Sequence, residues 1–266
     1  MKVVLFCGGL GLRMREASEV LPKPMVPIGN RPILWHLMKY YAHFGHTDFV
    51  LCLGYRAEVI KEFFLNYNEA LSNNFVLTEG GRNVELLSHD IRDWNITFVD
   101  TGSTAKIGER LRAVRRHLEG EEYFLANYGD VLTDAPLPEA IAELRELDKV
   151  ASFLCVHPNS SFHLVKFDDD RTVQGIEEIT KSDVWINGGF FVLRGDVFDY
   201  LHEGEDLIEE PFQRLVGRRQ LVAHRYEGFW AAMDTLKDKQ QLESMLDRGE
   251  GPWRVWEPSA ATVSIG

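Results

Sequence analysis

Over roughly the first 150 residues, short apolar runs alternate with stretches of helical period. Residues 3–7 form a continuous apolar run closed by Gly8 and Gly9, the pattern of a strand buried on both faces of a parallel sheet. Pro32 then opens a stretch in which Ile33, Leu37, Tyr40, Tyr41 and Phe44 recur every three or four residues until Gly45, which predicts a helix. The same reading predicts strands at 49–53, 96–99 and 123–128, and helices at 59–67, 109–118 and 138–147. Strands alternating with helices predict an α/β fold: a doubly wound, mostly parallel, Rossmann-like sheet with helices on both faces. Ligands bind such sheets at the carboxyl ends of the strands, so the residues from Gly8 to Arg13, Thr101-Gly102 and Asp130 become candidates.

Beyond about residue 156 the rhythm changes. Runs at 162–167, 173–176 and 185–193 read as strands joined by short polar turns, a smaller antiparallel extension over one end of the sheet. Helical patterns resume near Val197, Pro211 and Leu236. With no repeat and no flexible linker, residues 1–258 read as one domain, and 259–266 as a loose C-terminal tail.

Composition narrows the partners. An apolar fraction of 45% excludes a disordered chain, and no apolar run approaches the ~20 residues of a membrane span. The opening run is too short for a signal peptide. A net charge of −12 is the wrong sign for a protein that grips nucleic acid through its phosphates. The basic run Arg110 to Arg116 does not alter this, because Leu111, Val114 and Leu118 recur at helical spacing and leave most of the arginines on a solvated face. Cys7, Cys52 and Cys155 sit in apolar runs without metal-site spacing and read as buried thiols in a reducing compartment, the cytoplasm. Neither nucleic acid nor membrane is expected as a partner.

The strongest local signal is Gly8-Gly9-Leu10-Gly11-Leu12-Arg13, directly after the first strand. Glycines let backbone N–H groups approach a phosphate closely. The run lacks the Gly-Lys-Ser/Thr ending of a P-loop and the third glycine of a dinucleotide fold. What remains is a glycine-rich turn closed by an arginine, suited to a triphosphate, with a mere tight turn as the lesser alternative. In Pro22-Lys23-Pro24-Met25, two prolines clamp a lysine in what reads as an extended segment. Asp130 ends a predicted strand, and Asp234 follows Phe229-Trp230-Ala231-Ala232-Met233. Two carboxylates plus substrate phosphates are the usual way to hold Mg²⁺, while a lone aspartate before a helix is equally a cap. No His-Glu-x-x-His pair appears among the nine histidines, and no Gly-x-Ser-x-Gly elbow marks a nucleophile.

Taken together these residues resemble the sugar-phosphate nucleotidyltransferase family over essentially residues 1–257. The resemblance rests on Gly8 to Arg13, Lys23-Pro24-Met25, Pro32 to His36, Gly54-Tyr55, Ile60-Lys61-Glu62 and Val99 to Gly102. It continues through Gly108 with Arg110-Leu111 and Tyr128-Gly129-Asp130. Trp94-Asn95, Ile186 to Phe191, and Gly228-Phe229-Trp230 with Met233-Asp234-Thr235 are similar to the cytidylyl-transferring branch. The resemblance implies a Mg²⁺-dependent transfer from a nucleoside triphosphate, CTP favoured, to a sugar 1-phosphate, α-D-glucose 1-phosphate, with direct in-line displacement of pyrophosphate. UTP, dTTP or another sugar phosphate, and a non-catalytic sugar-nucleotide sensor, are the alternatives. By the same resemblance, Arg13 and Lys23 are the catalytic cations and Asp130 and Asp234 the metal ligands. Gly8, Gly9, Leu10, Gly11, Leu12, Arg110 and Gly129 contact the nucleotide. Glu178, Asn187, Gly189 and a displaced Lys181 bind the sugar phosphate at the antiparallel end, and a homo-oligomer is expected. The chain departs from the family pattern in three places. Leu12 replaces a threonine, Glu109 a glycine, and Glu178-Ile179-Thr180-Lys181 the usual Glu-Lys-Pro.

Overall fold

The computed structural model describes residues 1–9, 21–159 and 162–257. Arg13, Leu10, Gly11 and Leu12, and the tail at 259–266, therefore lie outside the described residues. The strands are β1 (Val3–Phe6), β2 (Pro27–Ile28), β3 (Arg31–Pro32), β4 (Asp48–Leu53), β5 (Phe75–Thr78), β6 (Asn83–Leu86), β7 (Asn95–Asp100) and β8 (Tyr123–Tyr128). After them come β9 (Val131–Thr133), β10 (Ala151–Val156), β11 (His163–Phe167), β12 (Val173–Glu178), β13 (Ile186–Asn187), β14 (Phe191–Arg194), β15 (Leu221–Tyr226) and β16 (Trp230–Ala232). The α-helices are α1 (Ile33–His43), α2 (Ala57–Leu65), α3 (Ile107–Ala113), α4 (Leu137–Glu146), α5 (Pro211–Gly217) and α6 (Leu236–Asp247).

The main sheet is mostly parallel at its heart. β1 lies between β4 and β8, and β7 pairs with β4, all in parallel register. β1 alternates between two cores: Val3 and Leu5 join α1 and α4 on one face, while Val4 and Phe6 join α3 and α5 on the other. Burial on both faces accounts for its unbroken apolar sequence. The parallel strands share one carboxyl edge, which therefore carries Gly8, Gly54, Thr101 and Gly129.

Several expectations are corrected in detail. The predicted helix at 109–118 divides into α3 and a 3₁₀ turn, Arg115–Leu118. The predicted strand at 185–193 is split into β13 and β14. Between Cys155↔Asn187 and Ser152↔Val192 this strand advances five residues while β10 advances three. The surplus is taken up at Gly189 and Phe190, whose φ angles are 79° and 50°. The antiparallel part is also distributed differently. β14 lies antiparallel to both β8 and β10 inside the main sheet, and the parallel β15 pairs with the far edge of β10. β11–β12 is a separate hairpin. Finally, Pro22 to Met25 is not extended throughout: Lys23–Met25 close a single 3₁₀ turn in which Met25 N donates to Pro22 O at 2.8 Å. Proline is tolerated in a first turn because its missing N–H has no acceptor there.

Candidate active site

Two distant stretches are brought together by one small pairing. β9 and β16 run antiparallel with Val131 opposite Ala232, and Met233 N donates to Asp130 O at 3.0 Å. The aspartates at the two ends of this pairing, Asp130 and Asp234, thus become neighbours. The 3₁₀ turn at Lys23–Met25 reaches the same place, anchored by its buried Pro24 and Met25. Lys23 Nζ lies 2.5 Å from Asp130 Oδ2 and 2.5 Å from Asp234 Oδ1. Burial alone would lower the Lys23 pKa, but Asp130 and Asp234 outweigh it and hold the ammonium above its ordinary value.

Asp234 is not the cap of the helix that follows. Thr235 is the N-cap of α6, its Oγ1 accepting from Asp238 N at 3.2 Å, and Asp238 Oδ2 accepts from Thr235 N at 2.7 Å. With capping done by Thr235 and Asp238, the Asp234 carboxylate is left to face Lys23.

Gly8 and Gly9 follow β1 as expected. Arg110, grouped by resemblance with the nucleotide contacts, has its guanidinium against the backbone of Gly8. Nη2 donates to Gly8 O at 3.0 Å, and Nη1 donates to Thr101 Oγ1 at 2.7 Å and Leu53 O at 3.2 Å. A Cβ on Gly8 would fall 1.9 Å from Arg110 Nη1, so the residue must be glycine while the arginine stays in place. Gly129, the other nucleotide-side glycine, is packed against Pro24 and donates its N–H to Phe6 O at 3.2 Å.

Beside Asp234 opens a cleft of about 750 Å³, lined in part by Phe162, Glu178, Thr180, Ile186 and Trp230. Asn187 and Gly189 come from the split strand next to it. Asn187 Oδ1 accepts from Gly189 N at 2.9 Å, and its Nδ2 faces Tyr128 Oη at 3.4 Å. Lys181 is placed at the rim and ion-paired with Glu178 at 3.0 Å, which holds the Glu178 carboxyl below its usual range. Thr180 rather than Lys181 lines the cleft.

Sequence reasoning passed over two polar residues that shape this region. Asn127 is fully buried in β8, and its Oδ1 accepts from Phe190 N at 3.0 Å and Tyr128 N at 2.9 Å, fixing the split strand. Its signal was a lone amide in the otherwise apolar and aromatic run Tyr123 to Tyr128. Asp134 Oδ1 accepts from Phe229 N at 2.8 Å and from Tyr226 Oη, holding the turn before β16.

The "Nucleotidyl transferase" family model matches residues 2–242. The chain is 38% identical over 260 residues to a glucose-1-phosphate cytidylyltransferase of Salmonella typhi, covering 97% of this chain and all of that protein. It is equally 38% identical over 258 residues to a probable glucose-1-phosphate cytidylyltransferase of Bacillus subtilis, covering 96% and 100%. Among solved structures, a UDP-glucose pyrophosphorylase complexed with UDP-glucose superposes with a TM-score of 0.66 at 14% identity, covering 93% of this chain and 98% of that one. HddC from Yersinia pseudotuberculosis superposes at 0.65 and 20% identity, covering 92% and 99%.

Proposed function

This chain belongs to the nucleotidyl transferase family, and we propose that it transfers the cytidylyl group of CTP to α-D-glucose 1-phosphate, releasing pyrophosphate. Base and sugar are taken from the relatives' activity. The observation that carries the reaction type is the meeting of Lys23, Asp130 and Asp234 at the carboxyl edge of the sheet, beside a cleft of about 750 Å³.

A phosphate oxygen of the sugar phosphate attacks the α-phosphorus of the triphosphate. One P–O bond forms as the bond to the β-phosphate breaks, and its electron pair leaves with pyrophosphate. The attacking oxygen is already an anion, so neither a general base nor a protein nucleophile is required. What the chain must provide is charge compensation between two polyanions and an in-line arrangement. Lys23 supplies a cation on a fixed turn, and Arg13 is assigned to the departing pyrophosphate. Gly8 and Gly9 offer backbone N–H groups, and Arg110 holds Gly8 by its carbonyl. Glu178, Asn187 and Gly189 are assigned to the sugar.

Asp130 and Asp234 fit a Mg²⁺ ion: both are hard oxygen donors, and both already address one cation, the Lys23 ammonium. When bound there, Mg²⁺ would supply Lewis-acid neutralisation of phosphate oxygens. The three free, buried cysteines support a reducing, cytoplasmic setting, and no helix among the described residues is long and apolar enough to cross a membrane. We extend the reading to self-association of the chain.

The test is pyrophosphate release measured across nucleoside triphosphates and sugar 1-phosphates. The expected outcome is the highest kcat/KM with CTP and glucose 1-phosphate, lost in EDTA and restored by Mg²⁺. A kcat/KM favouring UTP or dTTP overturns the choice of base. Full turnover in the double variant Asp130→Asn, Asp234→Asn overturns the metal assignment.

A further inference from the structure

The ammonium of Lys23 does not project into the open cleft. It is inserted between the two carboxylates that the reading above assigns to a metal, 2.5 Å from an oxygen of each. Its side chain is only 15% exposed, against 22% for Asp130 and 45% for Asp234, so the contact is a partly buried triad rather than a solvated surface pair. The two aspartates are set side by side by the β9–β16 pairing and by the bond from Met233 N to Asp130 O, which fix the gap that the ammonium fills.

Two cations do not share such a gap. Mg²⁺ binds carboxylate oxygens at about 2.0–2.1 Å and demands their lone pairs. An ammonium kept in hydrogen-bond contact with the same two oxygens would lie within about 3 Å of it, where like charges repel strongly in a poorly solvated site. Lysine is suited to yield, because its charge rides on a flexible four-carbon stem. The turn beneath it need not move, since Pro24 and Met25 are buried and Pro24 is packed against Gly129.

We infer that Lys23 and the divalent metal are alternative occupants of the gap between Asp130 and Asp234, so that metal binding releases the Lys23 ammonium toward the reacting phosphates. The inference rests on the metal assignment above. Lys23 then has two positions. In one it offsets the mutual repulsion of the carboxylates and keeps them convergent. In the other it is a free cation beside the substrate anions. The delivery of positive charge to the phosphates is thereby tied to the arrival of the metal.

The experiment uses the full chain without nucleotide and two readouts other than turnover. The first is direct Mn²⁺ binding, followed by the loss of the free-ion electron paramagnetic resonance signal. Lys23→Met is expected to bind Mn²⁺ about tenfold more tightly than the wild type, because the competing cation is gone, whereas Lys23→Arg is expected to show no gain. The second is the rate of reductive methylation of Lys23 in the wild type, read by peptide mass spectrometry. It is expected to rise severalfold as Mg²⁺ saturates, as the ammonium leaves the carboxylates. A Lys23 labelling rate that Mg²⁺ leaves unchanged or lowers overturns the exchange, even if Lys23→Met does not fold. So does a folded Lys23→Met protein that binds Mn²⁺ no more tightly. The control separates the two ideas: if Asp130→Asn and Asp234→Asn bind Mn²⁺ like the wild type, the metal assignment has failed. If they lose it while Lys23 labelling is insensitive to metal, the exchange alone has failed.

Discussion

Arg110 shares a short basic stretch with Arg112, Arg115 and Arg116, yet it alone of these turns inward and is 2% exposed. The signal was in the helical period. Ile107, Arg110, Leu111 and Val114 share one face, so an arginine on an apolar stripe had to find buried acceptors. It found the carbonyls of Gly8 and Leu53. A resemblance can name the residue but cannot say that its guanidinium is occupied by protein oxygens. The contact makes a specific demand. Gly8→Ala puts a methyl group where Nη1 lies, and such overpacking costs about 1–3 kcal/mol. Arg110→Met removes the guanidinium bonds to Gly8 O, Leu53 O and Thr101 Oγ1, and costs about 1–3 kcal/mol. Gly8 O is left only the long bond from Tyr55 N at 3.4 Å, while Leu53 O keeps Thr101 N at 2.9 Å. The double variant should lose less than the two single losses combined, by roughly 1 kcal/mol, because the methionine can give way to the new methyl group. Urea denaturation of the four proteins measures this, and strict additivity would show that the clash does not govern Gly8. A raised KM for the nucleotide in Gly8→Ala, with the sugar-phosphate KM near wild type, is the matching kinetic outcome.

Among the elements, those of five or more residues with a clean period were legible: β4, β7, β8, α1, α2 and α4 begin and end within about two residues of expectation, and α6 begins at the expected Leu236. The three-residue strands β9 and β16 were not, since periodicity needs more positions than they have, and it is their pairing that joins the aspartates. Nor could a local pattern predict that the stretch after α6 packs back on α1. Trp253 is fully buried there, and its Nε1 donates to His36 Nδ1 at 3.3 Å. His36 Nε2 in turn donates to Ile28 O at 3.0 Å, so the ring is neutral and both nitrogens are used. Burial pushes its pKa down to about 4. The unfolded chain protonates this histidine near pH 6.5 and the folded chain only near 4. Its contribution is therefore complete above pH 6.5 and drains as pH falls toward 4, by about 3 kcal/mol. His46 is shifted in the same direction by burial, to about 4, and adds to the slope. Denaturant melts between pH 7 and 4.5 should show stability falling through this window, with a clearly shallower slope in His36→Gln. Trp253→Ala should cost about 3–5 kcal/mol at neutral pH, the usual loss for a large buried aromatic. A melt of wild-type midpoint would mean that this C-terminal packing is not part of the cooperative fold.

At the scale of the whole molecule, the sequence made the site legible in pieces but not as a meeting place. Gly8, Lys23, Asp130 and Asp234 could each be marked by its local context. Their convergence depends on non-local pairings of β1 with β8 and of β9 with β16, which no window along the chain contains. The same global view exposes surfaces that a monomer leaves uncovered. β5 is exposed at all four positions, although Phe75, Val76 and Leu77 are apolar, and its partner β6 adds Val84. The β11–β12 hairpin likewise leaves Val165, Phe167, Val173 and Ile176 exposed, Phe167 at 67% and Ile176 at 66%. A two-stranded ribbon with apolar side chains in water is marginal by itself, and contiguous apolar patches mark contact surfaces. The net charge of −12 opposes association between copies, so apolar burial must outweigh repulsion that salt would screen. Light scattering after size exclusion is therefore expected to give a mass that is a multiple of 30.5 kDa at micromolar concentration, with association strengthened between 50 and about 500 mM salt. Introducing like charges should separate the copies through whichever ribbon holds them: Leu77→Lys with Val84→Lys for β5–β6, and Phe167→Lys with Ile176→Lys for β11–β12. A wild-type protein that stays at 30.5 kDa across this salt range would remove self-association from the reading. Assembly that survives both pairs of substitutions would place the interface on another face.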